Sequence, residues 1–153
     1  MADEPIREQI LQHCEASLAL IDGTGAYHHA LASVGRGKPA MPEDSTLLPI
    51  AFVDEGEEAA TQDTNLLLTR RLPVTVEAWL RSDDGQLPTL ANRLLADIER
   101  ALGADPTRGG LAIRTELVNT AVISDETPGV LASARAQFEI DYWTVKGNPA
   151  SKG

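Results

Sequence analysis

The stretch LPTLANRLLADIERALGADPTRGGLA, Leu87–Ala112, decides how this chain folds. Leu87, Leu90, Ala91, Leu94, Leu95, Ile98 and Leu102 recur at helical spacing and share one stripe of an α-helix. Asn92, Arg93, Asp97, Glu99 and Arg100 fall outside that stripe. Asp83, Asp84 and Gly85 mark the approach, and Pro88 sits in the first turn, where its missing N–H is harmless. Gly103 is expected to supply the left-handed residue that stops the helix. Asp105-Pro106 and Gly109-Gly110 then turn the chain into an alternating run that begins at Leu111. A helix with one apolar stripe must bury it, and the alternating runs on either side of it offer the surface.

Those runs are long. From Asn65 to Arg81, Leu72, Val74, Val76, Ala78 and Leu80 face one way, while Pro73, Thr75, Glu77, Trp79 and Arg81 face the other. From Val130 to Val145, Ala132, Ala134, Ala136, Phe138, Ile140 and Tyr142 share a face opposite Ser133, Arg135, Gln137, Glu139, Asp141 and Trp143. Period-two patterning with one apolar face predicts a sheet covered on one side only. Leu111–Ser124 reads as a further strand, joined to the last by a turn through Thr127-Pro128-Gly129. Near the start, Asp3 is a plausible N-cap for a helix reaching to about Leu20, with Ile6, Ile10, Leu11, Cys14, Leu18 and Ile21 on its buried side. Tyr27–Leu31 could form a short edge strand, and Leu47–Val53 reads as a strand whose Pro49 favours an edge or a bulge. The expected architecture is α+β: a mainly antiparallel sheet with two helices packed on one face. Residues 1–146 make one domain, and 147–153 a flexible polar tail.

Bulk properties narrow the function. The 153 residues carry 13 basic and 23 acidic side chains, a net charge of −10, which argues against general nucleic-acid binding and against an anionic membrane surface. The sole cysteine, Cys14, lies on the buried side of the first helix and reads as a small core residue. No signal peptide, transit peptide or apolar run of membrane length is recognisable, so the expectation is a soluble protein of the cytoplasm.

No catalytic motif stands out. His28 and His29 are neighbours, so on a strand they point to opposite faces and cannot chelate one ion together. Gly35-Arg36-Gly37-Lys38 faintly resembles a phosphate loop, but Pro39 follows where Ser or Thr belongs, and a basic surface loop is the better reading. Between Glu43 and Asp63 the charge is one-sided, with Asp54, Glu55, Glu57, Glu58 and Asp63 in an expected loop. Such a loop is solvated by default; alternatively it repels a passing polyanion or docks on a basic partner. Trp79 and Trp143 fall on the polar faces of their strands, as interface anchors or as rings under a loop. These are features of a subunit that meets other subunits, with no enzyme, metal or cofactor implied.

The order of IREQI, LPIAFVDEGEE, RRLPVTVEAWLR, LANRLLADIERALGADPTRGGLA and ARAQFEIDYWT resembles the tail terminator (tail completion, minor tail protein U-like) proteins of tailed bacteriophages and prophages. The resemblance runs from about Ile6 to Thr144 and is most telling in ALGADPTRGGLA and FEIDYWT. It implies a sheet with helices on one face, and a hexameric ring at the head-proximal end of the virion tail, assembled in the host cytoplasm. The ring would cap the tail tube, stop its polymerisation and dock the head–neck connector. Its partners would be further copies of itself, the tube protein, the connector, and sheath protein if the tail contracts, with DNA passing through the lumen without specific binding. In that frame Trp79 and Trp143 are candidate apolar anchors, and Arg36, Lys38, Arg70 and Arg71 candidate cross-subunit ion-pair partners. Asp54, Glu55, Glu57, Glu58 and Asp63 would line the lumen or face the tube. Another head–tail joining component, or a small α+β enzyme with a site invisible in sequence, are the alternatives.

Overall fold

The computed structural model describes residues 2–37, 48–82, 85–124 and 131–153. Lys38, Asp83, Asp84 and the turn at Thr127-Pro128-Gly129 lie outside the described residues. The elements run α1 (Ile6–Leu18), β1 (Ser33–Arg36), β2 (Ile50–Glu55), β3 (Ala59–Gln62), β4 (Leu67–Arg81), α2 (Leu87–Gly103), β5 (Arg114–Ser124), β6 (Leu131–Val145) and β7 (Asn148–Lys152). All seven strands join one sheet, ordered β1-β2-β4-β6-β5, with β3 also on β4 and β7 also on β6. Only β1 and β2 pair in parallel; the other pairings are antiparallel. The fold is α+β, as its alternating strands and two amphipathic helices predict.

The core is the apolar face of β4 and β6 under the two helices. Leu72, Val74, Val76 and Ala78 of β4, with Ala134, Ala136 and Ile140 of β6, are each 0% exposed. Ala51 and Val53 extend this face onto β2. The alanines let the helices approach closely, and Leu94, Ile98 and Leu102 of α2 fill the space with Ile10, Leu11 and Leu18 of α1. Cys14 lies in the same cluster, and burial pushes its thiol pKa up, as for an inert core thiol.

Proline inside β4 would ordinarily break a central strand. Here β3 pairs with Leu68–Arg71 and β2 with Val74–Trp79, so Pro73 stands where one neighbour ends and the other begins. Its carbonyl accepts from the Gly56 amide at 2.8 Å, and its missing N–H falls in the gap between the two partner strands.

Several expectations are corrected. Asp3 caps nothing: α1 starts after Pro5, which holds an extended conformation with no side-chain cap, and the helix ends at Leu18 rather than Leu20. Gly103 is not left-handed; it belongs to α2, followed by Ala104 in the right-handed region. Positive φ angles arrive only at Arg108, Gly109 and Gly110. The delay has a cause. Arg108 is fully buried and its guanidinium donates to the Leu102 and Asp105 carbonyls, closing the C-terminal end of α2. The Asp105 carboxylate in turn accepts from the Thr107 and Gly109 amides at 3.1 and 2.8 Å, which shapes the turn.

Tyr27–Leu31 is not a strand; a single bridge joins Asp22 to Ala30, and the strand proper is β1. The reason lies in α2. Asp97, outside the apolar stripe in the sequence, is 1% exposed and accepts from the His28 and His29 amides at 2.9 and 2.8 Å. Those donors are therefore spent on a carboxylate rather than on a ladder. Gly35 and Arg36 lie in β1 and not in a loop, and the Phe52 ring lies so close that a Cβ at Gly35 would sit 2.9 Å from it. Residues 59–62 of the expected acidic loop form β3, and the expected tail 147–153 folds back as β7.

Asp97→Ala strands two inward-facing amides and should cost about 3 kcal/mol, read as a lower urea midpoint. Hydrogen exchange at the His28 and His29 amides should accelerate with it. Unchanged exchange there would mean the carboxylate does not hold this segment.

Candidate assembly surfaces

The face of the sheet away from the helices is crossed by a line of charge. Register places Arg71 of β4, Asp141 of β6 and Arg114 of β5 directly opposite one another. Arg71 donates through Nε and Nη2 to the two Asp141 carboxylate oxygens at 2.9 and 3.2 Å, and Arg114 Nε donates to Asp141 at 2.7 Å. Glu139 and Glu116 flank the arginines at 3.6 and 3.3 Å. The Asp141 side chain is 8% exposed, so its charge depends on these partners. The Arg71 hydrogen bond lowers the Asp141 pKa most, burial opposes it, and Arg114 adds to the lowering.

Of the other basic candidates, Arg70 and Arg36 also find partners within the chain, and Lys38 lies outside the described residues. Arg70 donates to Glu58 at 3.0 Å and to the Thr144 hydroxyl at 2.8 Å. Arg36 reaches both Glu8 and Glu15 of α1 at 3.0 Å.

The acidic candidates divide. Glu58 is nearly buried on the helix side, where it accepts from the Tyr142 phenol and pairs with Arg70 and Arg7, tying α1 to the sheet. Burial of the Tyr142 phenol raises its pKa most, and the Glu58 contact adds to the rise. Glu55 pairs with Arg7 at 2.8 Å. Asp63 accepts from the Thr69 hydroxyl. Glu57 is exposed, and Asp54 is half-exposed on β2 opposite Thr75. Glu55, Glu58 and Asp63 thus hold partners within the chain, although Glu55 and Asp63 remain exposed.

The tryptophans differ as well. Trp79 is half-buried between Ile50 and Ser133 of the neighbouring strands, and its indole N–H has no partner among the described residues. Trp143 is 42% exposed, with its N–H on Thr69 at 3.0 Å. Beside it opens a mainly apolar cleft of about 330 Å³, lined by Leu111, Ala112, Ile113 and Lys152 among others.

Sequence reasoning missed the surface with the clearest imbalance. Among the described residues, β5 is an outer strand of the sheet, paired with β6 on one side only. Leu117, Val118 and Ile123 are 44%, 56% and 52% exposed. The signal was present: RTELVNTAVIS lacks the clean alternation of β4 and β6, as befits a strand that α2 covers only in part. Among the described residues no group of three or more His, Cys, Asp or Glu could hold a metal ion, and no helix is long and apolar enough to cross a membrane.

No protein-family model matches the chain, and no curated protein matches it. Among solved structures, a chain from one described as "Virion of native gene transfer agent (GTA) particle" is similar over 90% of each chain, at 13% identity and a TM-score of 0.40.

The Asp141 clamp gives a pH prediction with a definite sign. Its folded pKa lies below its unfolded value of about 4, so its contribution is complete above that value and is lost as pH falls through the folded one. The gap in urea midpoint between wild type and Asp141→Asn should shrink on going from about pH 6 to about pH 3. A constant gap would remove the electrostatic assignment.

Proposed function

We propose that this protein is a phage-type tail terminator, a structural virion component without turnover. It closes into a ring, hexameric by the family resemblance, that caps the tail tube and offers its other surface to the head–neck connector. The observation that carries this reading is the distribution of exposed apolar side chains. Of the seven large hydrophobics exposed among the described residues, Ile113, Leu117, Val118 and Ile123 lie on or beside one edge strand, and Trp143 lines the same cleft as Ile113. Apart from Leu20 and Leu66, the exposed large apolar side chains of the described residues gather at this one edge, as on a surface built to be covered.

The segments behind the sequence resemblance support the same reading. LANRLLADIERALGADPTRGGLA and ARAQFEIDYWT form α2, the turn held by Arg108 and Asp105, and β6, the strand that carries β5. The outward carboxylates Asp54 and Glu57, in a chain of net charge −10, suit a surface past which DNA slides without sticking.

Tail length in lysates of a phage or prophage lacking the gene tests this directly. Overlong, headless tubes, restored to uniform length by the protein, are expected. Tubes of normal length that fail to join heads would make the protein a different joining component, and normal virions would overturn the reading altogether.

A further inference from the structure

We propose that the free edge of β5 receives strand β3 of a second copy of this chain, so that the sheet continues head to tail from subunit to subunit. The inference rests on the ring reading and specifies the contact that builds the ring. The β5 edge runs from Arg114 to Ser124 without a proline or a lysine, the residues that normally guard a free edge. Its two charges are already engaged: Arg114 holds Asp141, and Glu116 lies 3.3 Å from Arg114. Beyond them Leu117–Ser124 carries no charge at all. The β5–β6 register shifts between Leu117 and Asn119, a bulge that leaves Asn119–Ser124 as the regular part of the edge.

Charge selects the occupant. Copies of a chain with net charge −10 repel one another over most of their surface. A basic partner, which that surface attracts, gains nothing electrostatic from an uncharged strand. Two copies meet without pressing carboxylates together only where both contributions are neutral. Strand β3, Ala-Ala-Thr-Gln at residues 59–62, is uncharged, exposed at all four positions, and among the described residues paired with β4 alone. It lies on the side of β4 away from β6 and β5, so the two edges face opposite ways across the sheet. Joining unlike edges leaves one of each free and repeats around a ring, whereas β5-to-β5 pairing would stop at a two-fold dimer.

Two lysine variants, Val118→Lys on the β5 edge and Ala60→Lys on β3, test the pairing by size-exclusion chromatography with light scattering. Both positions are exposed, circular dichroism checks the fold, and Ile123→Lys serves as a second β5 position should Val118→Lys misfold. The wild type is expected to form a ring and each variant alone a monomer. An equal mixture should give heterodimers of twice the monomer mass, because each variant keeps the edge that the other has lost. A variant that retains the wild-type mass, a mixture that stays monomeric, or a wild type monomeric at all concentrations would overturn the pairing. Rings that persist in both variants, with tails overlong in the gene's absence, would remove this contact and leave the terminator reading standing.

Discussion

Fifteen consecutive residue pairs join β4 to β6, from Leu67 opposite Val145 to Arg81 opposite Leu131. Because side chains alternate along both strands, this one register decides which residues become core and which become surface. A slip by one position would turn Leu72, Val74 and Val76 outward and bring Glu77 and Arg71 beneath the helices. The same register sets Arg71 opposite Asp141, and Arg114 completes the line from β5. The hydrophobic face and the charged face are thus two results of a single pairing. Neighbouring strands then attach where β4 and β6 leave backbone groups free, down to the exchange of β3 for β2 at Pro73.

Much of this architecture was legible because its signals are local. The α2 stripe and the alternation in β4 and β6 are periodic patterns that must be buried wherever the chain goes. The parts that were not legible depend on partners distant in sequence. Asp97 looks like a solvent-facing helix residue until the amides of His28 and His29 meet it, and Arg108 looks like a turn residue until its guanidinium closes α2. Strand β3 was hidden by the acidic residues around it, since AATQ has no pattern of its own and pairs only because β4 extends beyond the end of β2. The short return of β7 likewise rests on the end of β6 rather than on its own composition.

The candidate surfaces were legible in kind more than in place. Charge excess and outward tryptophans pointed to a subunit that meets other subunits, but sequence could not tell which charges the fold consumes. Arg36, Arg70 and Arg71 each hold carboxylates of their own chain, and Glu58 is a structural acid locked by Arg70 and Tyr142. What those pairings leave over is an acidic exterior interrupted by two neutral edges. Repulsion over most of the surface with attraction at those edges favours defined assembly over indiscriminate aggregation, a way of limiting which contacts copies can make.

Hydrogen exchange followed as a function of protein concentration tests the central claim, that the open sheet is completed by further copies of the chain. Amides in Leu117–Ser124 and in Ala59–Gln62 should gain protection together as concentration rises, while amides in β4 and β6 stay constant. Exchange in both edges that is independent of concentration, in a sample that nonetheless assembles, would place the subunit contact elsewhere and contradict the account.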